Sequence, residues 1–406
     1  MRLCAHLLLG VVACGVLLGC HPPRPATAPA AATLTAAASK RQEMAALAFL
    51  AYVGERLKGS DDEVEQQLAP CLTTALAGQP LLASWTLAWG PAVYKFAHAK
   101  RDDNMMYVVR DTTDPAHLAI VVRGTNAEAI LDWLVEDFEV HGQVPWGYGN
   151  PPGPAKIAKG TADGLRILQT MAPAGGPAPN QTLAEFLAGQ TKAYPALRID
   201  VTGHSLGGAL APTLALWLAD TRADWDPAGR AQLAVYALAG PTAGNADFAA
   251  YFDSRLGAST DRLHNPLDVV PLTWDLETLE TIAGLYEPLT RAEAIERGLL
   301  DAMRDLVKER DYAQIKPDAP PLARFLNTAA ADFKAQAIWQ HRCGYLCALG
   351  LVGAFQPVTL DCRTPGPTLC PVCPPEIAVG AGLKGGAEEL LSHWAAINRA
   401  LGWSII

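Results

Sequence analysis

The sequence offers one serine in a setting built for covalent chemistry, within Gly203-His204-Ser205-Leu206-Gly207. A serine hydroxyl is a weak nucleophile near neutral pH. It needs a histidine to take its proton, and that imidazole needs a carboxylate to fix its tautomer and stabilise its charged form. Small residues two before and two after the serine allow a sharp turn from strand to helix that holds the hydroxyl outward. At the start of the helix, the Leu206 N–H can serve a developing oxyanion.

The flanking elements match that demand. Leu197 to Thr202 reads as a strand and Leu206 towards Asp220 as a helix, although Pro212 inside that helix removes a backbone hydrogen bond. Upstream, apolar spacing predicts a helix over Glu43 to Leu57. β-type segments follow near Trp85 to Phe96, Met105 to Arg110 and Leu118 to Arg123, with Asp114-Pro115 as the turn of a hairpin. Helices are expected over Ala155 to Met171 and Thr182 to Gln190, and strands over Leu233 to Leu238 and Asp261 to Asn265. Strands separated by helices imply a mostly parallel sheet covered on both faces. The charged stretch from Leu276 to Phe325, with its stripe Leu299, Leu300, Met303 and Leu306, reads as a peripheral helical insertion in preference to a cap.

Four segments in order carry a family resemblance. Gly203 to Leu210 resembles the serine motif of the class 3 lipases, which include the fungal triacylglycerol lipases. Val121-Val122-Arg123-Gly124-Thr125-Asn126, followed by Asp132-Trp133 and Asp137, is similar to their oxyanion-loop segment. Gly240-Pro241-Thr242-Ala243-Gly244-Asn245 matches their glycine-proline segment, with Thr242 where arginine is common. Asn265-Pro266-Leu267-Asp268-Val269-Val270-Pro271 resembles the segment that carries the acid. The resemblance implies an α/β-hydrolase over residues 42–355, with Ser205 as nucleophile, Asp268 as acid, and Thr125 with Leu206 as oxyanion donors. Asp275 is the nearest substitute acid.

In this chain order the base follows the acid, which leaves His341 and His393. His341 stands in a segment resembling the family's last, in which a tyrosine follows the histidine, here Tyr345. His393 adjoins the helical stripe Leu390, Trp394, Ile397 and Leu401, where packing explains it, so His341 is preferred. His204 is expected to point away from the serine, and His98, His117 and His141 are read as surface residues.

The implied activity is hydrolysis of lipid esters through an acyl-enzyme, with no cofactor and no metal. The alternatives are the same machinery acting on a short-chain ester, thioester or amide, and a catalytically silent envelope binding protein. Fifty per cent hydrophobic residues over 406 positions can fill one large core, and a net charge of -9 leaves no basic footprint for nucleic acid.

Residues 1–19 read as a secretory signal, and Leu17-Leu18-Gly19-Cys20 resembles the lipobox of bacterial lipoproteins. Cys20 is then a lipidated anchor, residues 20–41 a tether, and the location a bacterial cell envelope. Of the remaining cysteines, Cys71, Cys343, Cys347, Cys362, Cys370 and Cys373 favour disulfides over zinc in an oxidising compartment. Residues 356–406 form a Cys/Pro-rich tail with a terminal helix. Val144 to Pro152, with Trp146 and Tyr148, is equally an aromatic lid or an ordinary proline-rich connection.

Overall fold

The apolar, β-branched segments pair into one six-stranded sheet in the computed structural model, which describes residues 36–95, 104–124, 140–352, 370 and 373–377. Its strands are β1 (Trp85–Tyr94), β2 (Asn104–Asp111), β3 (His117–Val122), β6 (Arg198–His204), β7 (Gln232–Leu238) and β9 (Thr260–Leu263), in the spatial order β1-β2-β3-β6-β7-β9. A smaller sheet contains β4 (Gln143–Pro145), β5 (Lys156–Ala158), β8 (Gly244–Asn245) and β10 (Tyr312–Ala313). β3, β6, β7 and β9 run parallel, while β1, β2 and β3 join antiparallel.

Alternation along the strands decides which face each side chain takes. Leu118, Ile120 and Val122 of β3 join one apolar cluster, and Ala119 and Val121 join another on the opposite face. Helices α1 (Ala36–Leu50) and α2 (Asp61–Ala77) cover the second face through Leu47, Leu50, Leu68 and Leu72. Helices α3 (Lys159–Thr170), α4 (Leu183–Ala193), α5 (Leu206–Asp220) and α6 (Ala246–Leu256) cover the first, through residues such as Leu165, Leu187, Leu214 and Phe252. This is the α/β-hydrolase arrangement that the sequence implied, with a mixed sheet.

Several local expectations are corrected. The first helix starts at Ala36, inside the supposed tether, and Arg41 there forms a two-bonded ion pair with Asp261. Residues 156–158 are a strand in place of the first turn of a helix, because they pair with Gln143–Pro145 and Gly244. Helix α2 was not read from the sequence, although Ser60 and Glu63 form the capping box that marks its start. His117 is buried against Asp200. Trp146 is also buried, packed on Phe248 and donating to Asp220, so this part of the aromatic segment is core and does not act as a lid.

The stretch after Leu276 contributes α7 (Ala294–Val307), whose Met303 and Val307 join a cluster with Leu267, Val269 and Val270. Leu206 packs on the same cluster. The insertion therefore lies against residues that flank both Ser205 and Asp268, and is less peripheral than its sequence suggested. Helix α8 (Phe333–Trp339) continues into a π-helical turn, Gln340–Gly344, and a last short helical turn, Tyr345–Ala348.

The sulfur chemistry is disulfide. Cys343 bonds Cys370 and Cys347 bonds Cys373, and Cys71 is disulfide-bonded as well. A short pairing of β11 (Arg324–Phe325) with β12 (Glu376–Ile377) adds a second tie between the tail and the main domain. Among the described residues no group of three or more His, Cys, Asp or Glu could hold a metal ion. Cys20, Cys362 and His393 lie outside the described residues.

Candidate active site

The parallel strands end together. Val122 is paired with Gly203, His204 with Leu238, and Leu238 with Leu263. The segments that leave these ends hold Gly124, Ser205, Gly240 and Asp268, which places the functional motifs at the carboxyl edge of the sheet, where open α/β sheets bind ligands.

Ser205 joins β6 to α5 with φ 63° and ψ -128°, a conformation side-chain-bearing residues rarely adopt and one that costs about 1–3 kcal/mol. The turn is tight enough that a Cβ on Gly203 would fall 2.3 Å from the Gly207 carbonyl oxygen and 2.7 Å from that of Val122. Leu206 opens α5, so its N–H has no partner within the helix and faces the region where the macrodipole favours negative charge. Gly124 lies against the serine, since a Cβ there would sit 2.8 Å from Ser205 Cβ. Thr125, Asp132, Trp133 and Asp137 lie outside the described residues.

Asp268 is fully buried in the loop after β9. Its Oδ2 accepts from His341 Nδ1 at 2.8 Å and from the Tyr345 hydroxyl at 3.0 Å, and its Oδ1 accepts from the Val270 N–H at 3.1 Å. Burial pushes the Tyr345 phenol well above its ordinary value, with the Asp268 charge adding to it, so the hydroxyl stays a donor. Asn265 shapes the loop: its Oδ1 accepts from the Leu267 N–H, and its own main-chain N–H donates to Tyr345 Oη at 3.0 Å. Asp275, the substitute acid, instead caps a short helix through the Glu277 N–H.

His341 is fully buried on the π-helical turn. Its Nε2 and the Oγ of Ser205 are both buried atoms with no hydrogen-bond partner. Unpaired buried polar atoms are uncommon and call for a reason. Here the two atoms are a potential base and a potential nucleophile, on a histidine whose other nitrogen is already fixed by a carboxylate.

His204 makes no hydrogen bond to Ser205 Oγ, and its ring packs on that of His341 at a centroid distance of 4.6 Å. Tyr52, which the sequence did not single out, bonds His204 Nδ1 at 2.9 Å. Thr242, at the position where arginine is common in the resemblance, is buried and donates to the Thr273 carbonyl at 2.8 Å.

Fold and site together define an α/β-hydrolase with a serine elbow and a carboxylate-bound histidine. The family model for class 3 lipases matches residues 119–276. Among solved structures the chain is similar to M37 lipase, at 35% identity and a TM-score of 0.72, over 77% of this chain and 92% of that one. Weaker likenesses include lipase II from Rhizopus niveus, at 20% identity and TM-score 0.43, covering 60% of this chain and 77% of that one. Another is a triacylglycerol lipase described as having a serine protease triad, at 22% identity and TM-score 0.41, covering 59% and 75%. No curated protein matches the sequence. The chain belongs to the class 3 lipase family and is a carboxylic ester hydrolase.

Proposed function

We propose that Ser205, His341 and Asp268 are the nucleophile, base and acid of this hydrolase, and that its substrates are lipid esters, acylglycerols or phospholipids. The observation that carries the reading is the 2.8 Å bond from His341 Nδ1 to Asp268, made while Nε2 and Ser205 Oγ stay buried and unpaired. Ser205 Oγ attacks the ester carbonyl carbon while its proton passes to His341 Nε2. The carbon–oxygen bond to the alcohol then breaks, and the alcohol leaves with that proton. Water repeats the sequence on the acyl-enzyme, releasing the carboxylic acid and restoring the serine.

Asp268 holds the tautomer in which His341 Nε2 has a lone pair, and its charge stabilises the imidazolium that forms. The oxyanion takes the Leu206 N–H and, by the family resemblance, Thr125. A fluorophosphonate probe should label the chain at Ser205 and fail on Ser205→Ala. Rates across an acyl-chain-length series should rise with chain length for a lipase. A maximum at acetate or butyrate would restrict the enzyme to short-chain esters.

Cys20 serves in this reading as a lipid anchor that holds the enzyme at a bacterial membrane, facing the periplasm or exterior. The support is the apolar run ending Leu17-Leu18-Gly19-Cys20. Cys20→Ser should move the protein from the membrane fraction to the soluble one. Unchanged partition, with no acyl mass on the wild-type N-terminus, would remove the anchor from the proposal.

A further inference from the structure

Behind the base lies a second hydrogen-bonded column. His204 Nε2 sits 2.8 Å from the main-chain carbonyl oxygen of His341, and Tyr52 Oη sits 2.9 Å from His204 Nδ1. A carbonyl oxygen only accepts, so Nε2 carries the proton. Nδ1 then accepts, and the Tyr52 hydroxyl is the donor. The His204 ring is held between Phe49, at 4.7 Å, and His341, at 4.6 Å, with Tyr345 edge-on at 5.9 Å.

Packing alone does not require a histidine there, since a phenyl ring would fill the same aromatic slot. What the imidazole adds is a bond to the main chain of the base. The adjacent carbonyl, that of Gln340, accepts from Asn265 Nδ2 at 3.1 Å. Two successive carbonyls of the π-helical turn are thus held by side chains from elsewhere, one from the residue next to Ser205 and one from the loop that carries Asp268. Turns of this kind break the regular helical ladder and concentrate at functional sites, so their geometry depends on such outside bonds.

We propose that Tyr52 and His204 are positioning residues for the base, registering the main chain of His341 to the residue beside the nucleophile while Asp268 fixes its ring. The inference rests on His341 being the base. His341 is then held at two points, and its Nε2 keeps its aim as the proton moves. The groups facing His204 are Tyr52, Tyr345, His341 and Arg342. Burial, then the neighbouring His341 and Arg342, hold His204 well below the ordinary histidine range. A neutral ring under His341 adds no repulsion when His341 becomes an imidazolium.

The test uses the full chain with a soluble p-nitrophenyl ester, comparing His204→Phe, His204→Gln, Tyr52→Phe and the control His117→Gln. His204→Phe should lower kcat by about 30-fold with KM within about twofold, as expected for a displaced catalytic group. His204→Gln, whose amide can reach the same carbonyl, should recover to within about fivefold of wild type, and Tyr52→Phe should lose about threefold to tenfold. If His204→Phe does not fold, the Gln and Tyr52 variants carry the test. An unchanged kcat in folded Tyr52→Phe and His204→Phe overturns the proposal. So does Gln performing no better than Phe, or a kcat loss that merely follows the fall in Tm seen for His117→Gln. Full activity in His341→Ala would instead overturn the underlying assignment of the base.

Discussion

Two buried histidine–aspartate pairs stand at opposite ends of the same sheet. At the amino end, His117 of β3 bonds Asp200 of β6 at 2.8 Å; past the carboxyl end, His341 bonds Asp268 at the same distance. Asp200 lies on β6, and Ser205 directly follows the far end of that strand. The pairs differ in what the second ring nitrogen meets. His117 Nδ1 lies 3.8 Å from a further carboxylate, Asp111, and Lys40 reaches Asp200 at 3.8 Å, so the cluster is closed on itself. His341 Nε2 is unpaired, and so is Ser205 Oγ. A histidine–carboxylate bond reads as a fastening where the second nitrogen also faces a carboxylate, and as machinery where that nitrogen is buried and left without a partner.

The largest expected effect separates the two pairs outright. Ser205→Ala or His341→Ala should lower kcat by about 10⁴- to 10⁶-fold, read as loss of the acyl-enzyme burst, whereas His117→Ala should lower Tm and leave the burst intact. Loss of the burst in His117→Ala with a native Tm would abolish the contrast. Next in size, Asp268→Asn should cost about 10³- to 10⁴-fold in kcat by permitting the wrong tautomer of His341. Asp200→Asn should change kcat by less than about threefold and show itself in the urea midpoint.

A third prediction concerns how each histidine is held. His117 sits on a central strand, but His341 sits on a helical turn whose Cys343 and Cys347 are bonded to the tail at sequence separations of 27 and 26. Opening a loop of that size costs about 3 kcal/mol in the chain-entropy account. Cys343→Ser with Cys370→Ser should therefore lower Tm by several degrees, and should also reduce kcat several-fold at temperatures where the chain is still folded. A lowered Tm with unchanged kcat would show that the tail secures the fold without securing the base.

The nucleophile was legible because its cue is local: a glycine-flanked serine with a strand before and a helix after. Asp268 and His341 needed the family resemblance of their segments and the order of motifs, since residue chemistry alone does not distinguish Asp268 from Asp275. The bonds of Tyr52 and His204 were out of reach, because they span 152 and 137 residues and depend on how the turn after α1 and the π-helical turn meet the end of β6. His117 was misjudged, and the segment holding Trp146 was left open, for a related reason. Polar atoms look like surface groups until a distant partner such as Asp200 or Asp220 satisfies them. The strand at 156–158 was hidden by a helix pattern that pairing with β4 and β8 overrides.

The smallest effect is a pH dependence of stability that belongs to the site end of the molecule. Burial pushes His204 well below the ordinary histidine range, and His264, near the acid loop, is lowered to about 4 by burial and then by Arg262. Both stay neutral in the folded chain at pH values where the unfolded chain takes up protons, below about 6.5. The unfolded state then binds more protons than the native one, so stability is full above that pH and declines as the pH falls towards the lower folded values. Each such histidine can contribute a slope of at most about 1.4 kcal/mol per pH unit, with His264 discounted because it is only partly buried. Urea midpoints measured at pH 7.5 and pH 5.0 should fall in the wild type, and the fall should shrink in His204→Gln, which has no imidazole to protonate. Equal slopes in the two proteins would mean that His204 is protonated in the native state. The tautomer that links Tyr52 to the main chain of His341 would then be the wrong one.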